Sequence, residues 1–170
     1  MPMSEINQDM LSGLQPFANV FDILLTKNPA AYARIKSSGE AGIAQEDIDG
    51  YVFLFTLQSG TLVAACVTGL PKGEGVCAPH FFGFHIHEGD VHYNPADCLH
   101  PYHAGDFPPL LSSSGFSWQM FYTGYFKPDD VIGDRVVIHE HEDDFTSQPS
   151  GNPGNMMASG IIKEYPFQNP

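Results

Sequence analysis

The sequence predicts an all-β domain, and three observations predict it. Seven or eight short apolar or alternating runs are spaced along the chain with no helical periodicity between them. The 14 prolines and 17 glycines are those of a turn-rich globular β protein. A chain of 170 residues fits one domain, long enough to bury about two-thirds of its unfolded surface. Such strands imply a sandwich or a Greek-key barrel.

Taken in order, the N-terminal stretch differs from the rest. Ile6, Met10, Leu14, Phe17, Val20, Phe21, Leu24 and Leu25 follow helical spacing broken by Pro16, so residues 1–29 are expected to form a helical arm. It would pack on the domain formed by residues 30–170, or serve a dimer contact. It has no basic opening segment, carries Glu5 and Asp9 early, and so does not read as a secretory signal. It is also too interrupted to span a bilayer. After the break at Asn28 and Pro29, Ala31 to Ser37 reads as the first strand, and Gly39 to Asp49 as a turn-rich connection. Tyr51 to Leu57 and Leu62 to Thr68 flank Gln58-Ser59-Gly60, a hairpin signal. Phe82 to Glu88 is expected as the fourth strand, Trp118 to Tyr122 and Arg135 to His139 continue the sheet, and Met157 to Lys163 closes it.

The net charge of −13, with only seven lysines and arginines, argues against a nucleic-acid partner or an anionic membrane surface, which both require clustered positive charge. Three cysteines, Cys66, Cys77 and Cys98, are too few and too irregular for a disulfide framework and read as buried or free thiols.

Residues 83 to 106 concentrate the chemistry: five histidines and a closing aspartate in 24 residues. His85 and His87 sit two apart on a strand, where positions i and i+2 share a face, so both imidazoles can meet one metal. His92, His100 and His103 follow in a Pro- and Gly-containing loop that ends in Asp106. Three imidazoles and one carboxylate form a tetrahedral set suited to zinc. The His85–His87 pair is left for a second metal, and His139 at the end of its strand adds a further nitrogen.

These residues carry a resemblance. Gly-Phe-His-Ile-His-Glu, His-Tyr-Asn-Pro, His-x-x-His-Ala-Gly-Asp, Val-Ile-His-Glu-x-x-Asp-Asp and Gly-Asn-x-Gly-x-x-x-Ala-x-Gly occur in that order. Together they resemble the copper/zinc superoxide dismutases over roughly Ala30 to Lys163. The resemblance implies an eight-stranded flattened Greek-key barrel with metal-binding loops outside it. It implies copper on His85, His87, His92 and His139, and zinc on His92, His100, His103 and Asp106. His92 would bridge the two ions as an imidazolate, detach, and carry a proton during turnover. Copper would cycle between two oxidation states with superoxide as substrate, while zinc orients the bridge. Asp143 matches a buried aspartate that hydrogen-bonds one ligand of each metal. His141, His80 and Asp144 match no ligand and are expected at the surface.

The chain departs from the family in three places. Only four residues separate His87 from His92, where typical members hold a long segment with a disulfide cysteine, and Ser159 stands at the second cysteine's place. That segment also builds the eukaryotic subunit contact, so a homodimer here would be of another type. His100 and His103 are only three apart. Met156 stands where the family places an arginine that attracts superoxide, and no lysine or arginine occurs between Arg135 and Lys163. The expected consequence is a slower dismutase with weak or inverted salt dependence, improved by Met156→Arg. The alternative is a dismutase-like protein that binds zinc or copper without useful catalysis. Absence of a signal and of the disulfide favours the cytoplasm.

Overall fold

The computed structural model describes residues 26–38, 47–72 and 80–166. The expected arm over residues 1–29 lies largely outside them, as do Cys77 and most of the Gly39 to Asp49 connection.

Among the described residues ten strands form in chain order: β1 (Ala31–Ser37), β2 (Asp49–Leu57), β3 (Gly60–Thr68), β4 (His80–Phe82), β5 (Phe84–Glu88), β6 (Val91–His92), β7 (Leu110–Ser112), β8 (Ser117–Thr123), β9 (Arg135–His139) and β10 (Met156–Glu164). Eight of them make one curled antiparallel sheet in the order β6-β5-β9-β10-β1-β2-β3-β8, and β4 pairs with β7 apart from it. The all-β class expected from the sequence is the observed one.

Alternation decides which face is buried. Ala31, Ala33 and Ile35 of β1, Val52 and Leu54 of β2, and Val63, Ala65 and Val67 of β3 all point into one core. Phe84 and Ile86 of β5, Val136 and Ile138 of β9, and Ala158 and Ile162 of β10 join them. Phe82 and Leu110 of the β4–β7 pair are fully buried in that core. Phe107 packs edge-on against Phe84 at 5.1 Å and against Phe121 at 5.0 Å, tying the loop after Asp106 to both ends of the sheet. A smaller cluster around Phe55 and Leu62 lies apart from this core.

Several boundaries differ from the sequence reading. The expected fourth strand is two strands, split at Gly83, whose N–H donates to the His141 carbonyl at 2.7 Å and whose carbonyl accepts the His139 N–H at 2.9 Å. Those bonds re-aim the chain from the two-stranded pair into the main sheet. His92 is not in a loop but in β6, opposite His87 in register. His80 belongs to β4, half-buried with its ring 4.4 Å from that of Phe82. β6 and β7 are too short to leave a periodic signal. Of the expected alternatives, buried or free, Cys66 and Cys98 are free, and both are exposed. Cys66 falls on the outward-facing side of β3, and Cys98 in a loop whose ends are tied by Asn94.

Candidate metal centre

The core-facing residues of β5, β9 and β10 leave the opposite face of those strands to a mixed row of histidines, Arg135, Ser159 and the apolar Val137 and Ile161. Register sets out that face in rows: His87 opposite Arg135 opposite Ile161, and His85 opposite Val137 opposite Ser159. His139 lies at the end of β9 opposite Met156, and His92 of β6 lies beside His87. Four imidazoles therefore converge without any loop having to reach them.

Two groups of ligand atoms result, His85, His87, His92 and His139 in one, and His92, His100, His103 and Asp106 in the other, each within 4.8 Å of one another. His92 belongs to both. Its ring centroid is 4.1 Å from that of His85 and 5.4 Å from that of His103.

The hydrogen bonds assign an atom of each ring to each group. His85 Nε2 donates to Asp143 Oδ2 at 3.0 Å, leaving its Nδ1 lone pair free. His139 Nδ1 donates to the Gly154 carbonyl at 3.0 Å, leaving Nε2 free. His92 Nδ1 lies 2.7 Å from Asp106 Oδ1, so its Nε2 faces the other way. His85 Nδ1, His87 Nε2, His92 Nε2 and His139 Nε2 are all buried without a hydrogen-bond partner. An orphaned buried polar atom costs about 1–3 kcal/mol, and four gathered within one group is the arrangement a cation would satisfy. The first group fits a metal with a nitrogen-rich, four-membered donor set, the kind suited to copper(II).

In the second group, His100 Nδ1 is 3.0 Å and His103 Nδ1 3.3 Å from Asp106 Oδ2, and the Nδ1 atoms of His92 and His103 are 3.4 Å apart. Ligand bonds of about 2.0–2.1 Å to zinc give a tetrahedral edge of about 3.3 Å. The donor set and its spacing fit zinc.

Asp143 joins the two groups. Its Oδ1 accepts from His100 Nε2 at 2.9 Å and from the Phe145 N–H at 2.6 Å, while Oδ2 serves His85. Burial pushes its pKa up, but the bonds from His85, Phe145 and His100 outweigh that and hold the carboxyl below the usual range. Asp106 behaves alike: burial pushes it up and His92 pulls it below the ordinary value. Burial is also the largest cause that pushes His87 down to about 3 and His139 down to about 4, with neighbouring imidazoles adding to it. Rings that stay neutral at ordinary pH keep their lone pairs for a cation.

A family model described as copper/zinc superoxide dismutase (SODC) matches residues 48–162, over half of the chain. The chain belongs to the copper/zinc superoxide dismutase family. Curated dismutases resemble it at low identity. The mouse extracellular superoxide dismutase [Cu-Zn] is 28% identical over 153 residues, covering 78% of this chain and 60% of that protein. The superoxide dismutase [Cu-Zn] 2 of Aquifex aeolicus is 27% identical over 155 residues, covering 76% and 87%. The chain thus spans about 60% of the length of the extracellular relative it matches. A SOD-like protein from Bacillus subtilis shares the fold, with a TM-score of 0.60 at 22% identity over 76% of this chain and 96% of that one. None of the helices among the described residues is long and apolar enough to cross a membrane.

Within this dismutase-family fold, the remaining residues singled out from the sequence lie as follows. Met156 is half-buried and lines a cleft of about 440 Å³ together with His87, Gly89, Asp90, Gly133, Arg135 and Ile161. Ser159 accepts a hydrogen bond from Arg135 Nη1 at 3.2 Å. His141 is exposed and contributes only backbone groups, its carbonyl accepting from the Gly83 N–H at 2.7 Å and its N–H donating to the Pro153 carbonyl at 2.9 Å. Asp144 is exposed and folds its loop back on itself, accepting from the N–H groups of Thr146 and Ser147 at 2.8 and 2.7 Å.

Sequence reasoning missed three supports. Gln148 clamps the His100 backbone, accepting its N–H at 3.1 Å and donating to its carbonyl at 2.7 Å. Asn94 does the same to Cys98 at 3.0 and 2.9 Å. No local pattern announces either. Gly151, beside Asp143, is the third; it opens the Gly-Asn-x-Gly block, but nothing in that block says which side chain it lies against.

Proposed function

We propose that this chain disproportionates superoxide to O₂ and hydrogen peroxide at a copper/zinc pair bridged by His92. The observation that supports this reading most is the division of His92, with Nδ1 beside Asp106 and Nε2 among the orphaned nitrogens of His85, His87 and His139. His85, His87, His92 and His139 would hold copper; His92, His100, His103 and Asp106 would hold zinc; Asp143 would orient His85 and His100.

Copper, when bound, supplies one-electron chemistry in both directions, and the net reaction consumes two superoxide anions and two protons. The chain's own residues then divide the work. His139 is held in one tautomer by the Gly154 carbonyl, and His85 by Asp143, so neither needs to reorient. His92 Nε2 would take a proton whenever no cation engages it and would pass that proton to the reduced dioxygen. Asp106 holds the other nitrogen, so the ring keeps its place while Nε2 is protonated. A second cleft of about 430 Å³, lined by His87, His92, His103 and His139, is wide enough for a diatomic anion and water.

The experiment is metal analysis of protein purified without added metal, followed by superoxide removal before and after copper addition. The expected result is one copper and one zinc per chain at saturation, with activity that tracks copper. Full copper loading without superoxide removal would sink this reading and leave a metal-binding protein of the dismutase family.

A further inference from the structure

The chain has two arginines, and they are placed very differently. Arg34 is on the surface, paired to Asp49 at 2.6 Å, with Tyr51 against it. Arg135 is half-buried and forms no ion pair among the described residues; its recorded side-chain partner is the neutral hydroxyl of Ser159. A guanidinium whose charge no carboxylate neutralises is free to serve another purpose.

Its place supplies one. Arg135 opens β9 directly opposite His87 of β5, and residues so paired project to the same face. Ile161 of β10 lies on its other side, and Ser159, two residues earlier on the same face, anchors Nη1. Arg135, Met156 and His87 line one cleft, and His87 also lines the other cleft, with His92 and His139. Asp90 lines the first cleft and Glu88 the second, so without a cation this approach would repel an anion.

We propose that Arg135 is the anion-receiving residue of this chain, drawing small monovalent anions such as superoxide into the cleft beside His87. The proposal rests on the dismutase reading for its substrate, but the anion site stands on geometry of its own. It replaces the expectation that the approach lacks a cation, which came from counting along the sequence between Arg135 and Lys163. Met156 brings no charge to this cleft, and the charge comes from the neighbouring strand instead. A planar fork anchored at one end by Ser159 keeps its remaining N–H groups for the ligand.

Azide serves as the probe. In copper-loaded protein its binding is followed by the visible absorption change at the metal, comparing wild type, Arg135→Gln and Arg135→Lys. The expected result is about tenfold weaker azide binding in Arg135→Gln, with most affinity kept by Arg135→Lys. Azide affinity within twofold of wild type in Arg135→Gln overturns the proposal. A readout that needs neither variant nor activity uses wild type loaded with zinc in both groups, which is diamagnetic. The side-chain Nε–H spectrum then holds two arginine signals, with Arg34 as the internal control. Azide should move the Arg135 signal and leave Arg34 in place; no movement, or equal movement of both, overturns it. An azide response without superoxide turnover sinks the dismutase reading and leaves this site standing. Turnover with a silent Arg135 sinks this site alone.

Discussion

Gly151 shows how narrowly the site tolerates atoms. Its φ is 72°, in the left-handed region, and a Cβ there would stand 1.9 Å from Asp143 Oδ1 and 2.7 Å from His100 Nε2. A methyl group would therefore separate the aspartate from the ring it orients. Gly151→Ala is expected to lower stability by about 1–3 kcal/mol and to reduce metal retained in both groups, measured as thermal midpoint and metal per chain. A loss confined to one group would contradict the joint role given to Asp143. The histidines announced themselves in the sequence because five of them fall within 24 residues, two at strand spacing. The glycine and Gln148 did not, since what they do depends on a neighbour 8 or 48 residues away in the chain.

The strand is the unit that builds the first group. β5 and β9 each turn one face to the core and the other to the imidazoles, so the core residues between them hold the ligands in place. Phe84 is fully buried and packs against Phe107, on the strand that carries His85 and His87. Phe84→Ala should cost about 3–5 kcal/mol, read by denaturant unfolding of the metal-stripped protein. A loss below about 1 kcal/mol would mean that β5 is held chiefly by its other neighbours. At this scale most of the fold was legible: β1 and β9 coincide with their predicted runs, and β2, β3, β8 and β10 lie within one or two residues of theirs. Two- and three-residue strands were not, because they hold too few residues to show a period. Arg135 is the instructive case. It was visible as a residue but not as a neighbour of His87, since 48 residues separate them and only the pairing of β5 with β9 brings them together.

Across the whole molecule, acid sensitivity follows from the buried imidazoles. His87 and His139 titrate near 3 and 4 in the folded chain, below the ordinary value of 6.5. The unfolded chain therefore binds more protons between those values, and stability rises with pH across that window. The metal-stripped protein should lose thermal stability steadily as the pH falls from about 6.5 towards 4, while Asp106 and Asp143 add their loss only below the usual carboxylate range. A thermal midpoint flat between those two pH values would show that the rings protonate freely in the fold. Loaded protein should hold its midpoint further down the scale, since a cation must first be displaced.

One carboxylate touching a ring from each half has an implication for assembly. An ion held in either half would hold its own ring, and through the Asp143 side chain that ring would steady the one in the other half. A second ion would then meet a seat that the first had already stiffened.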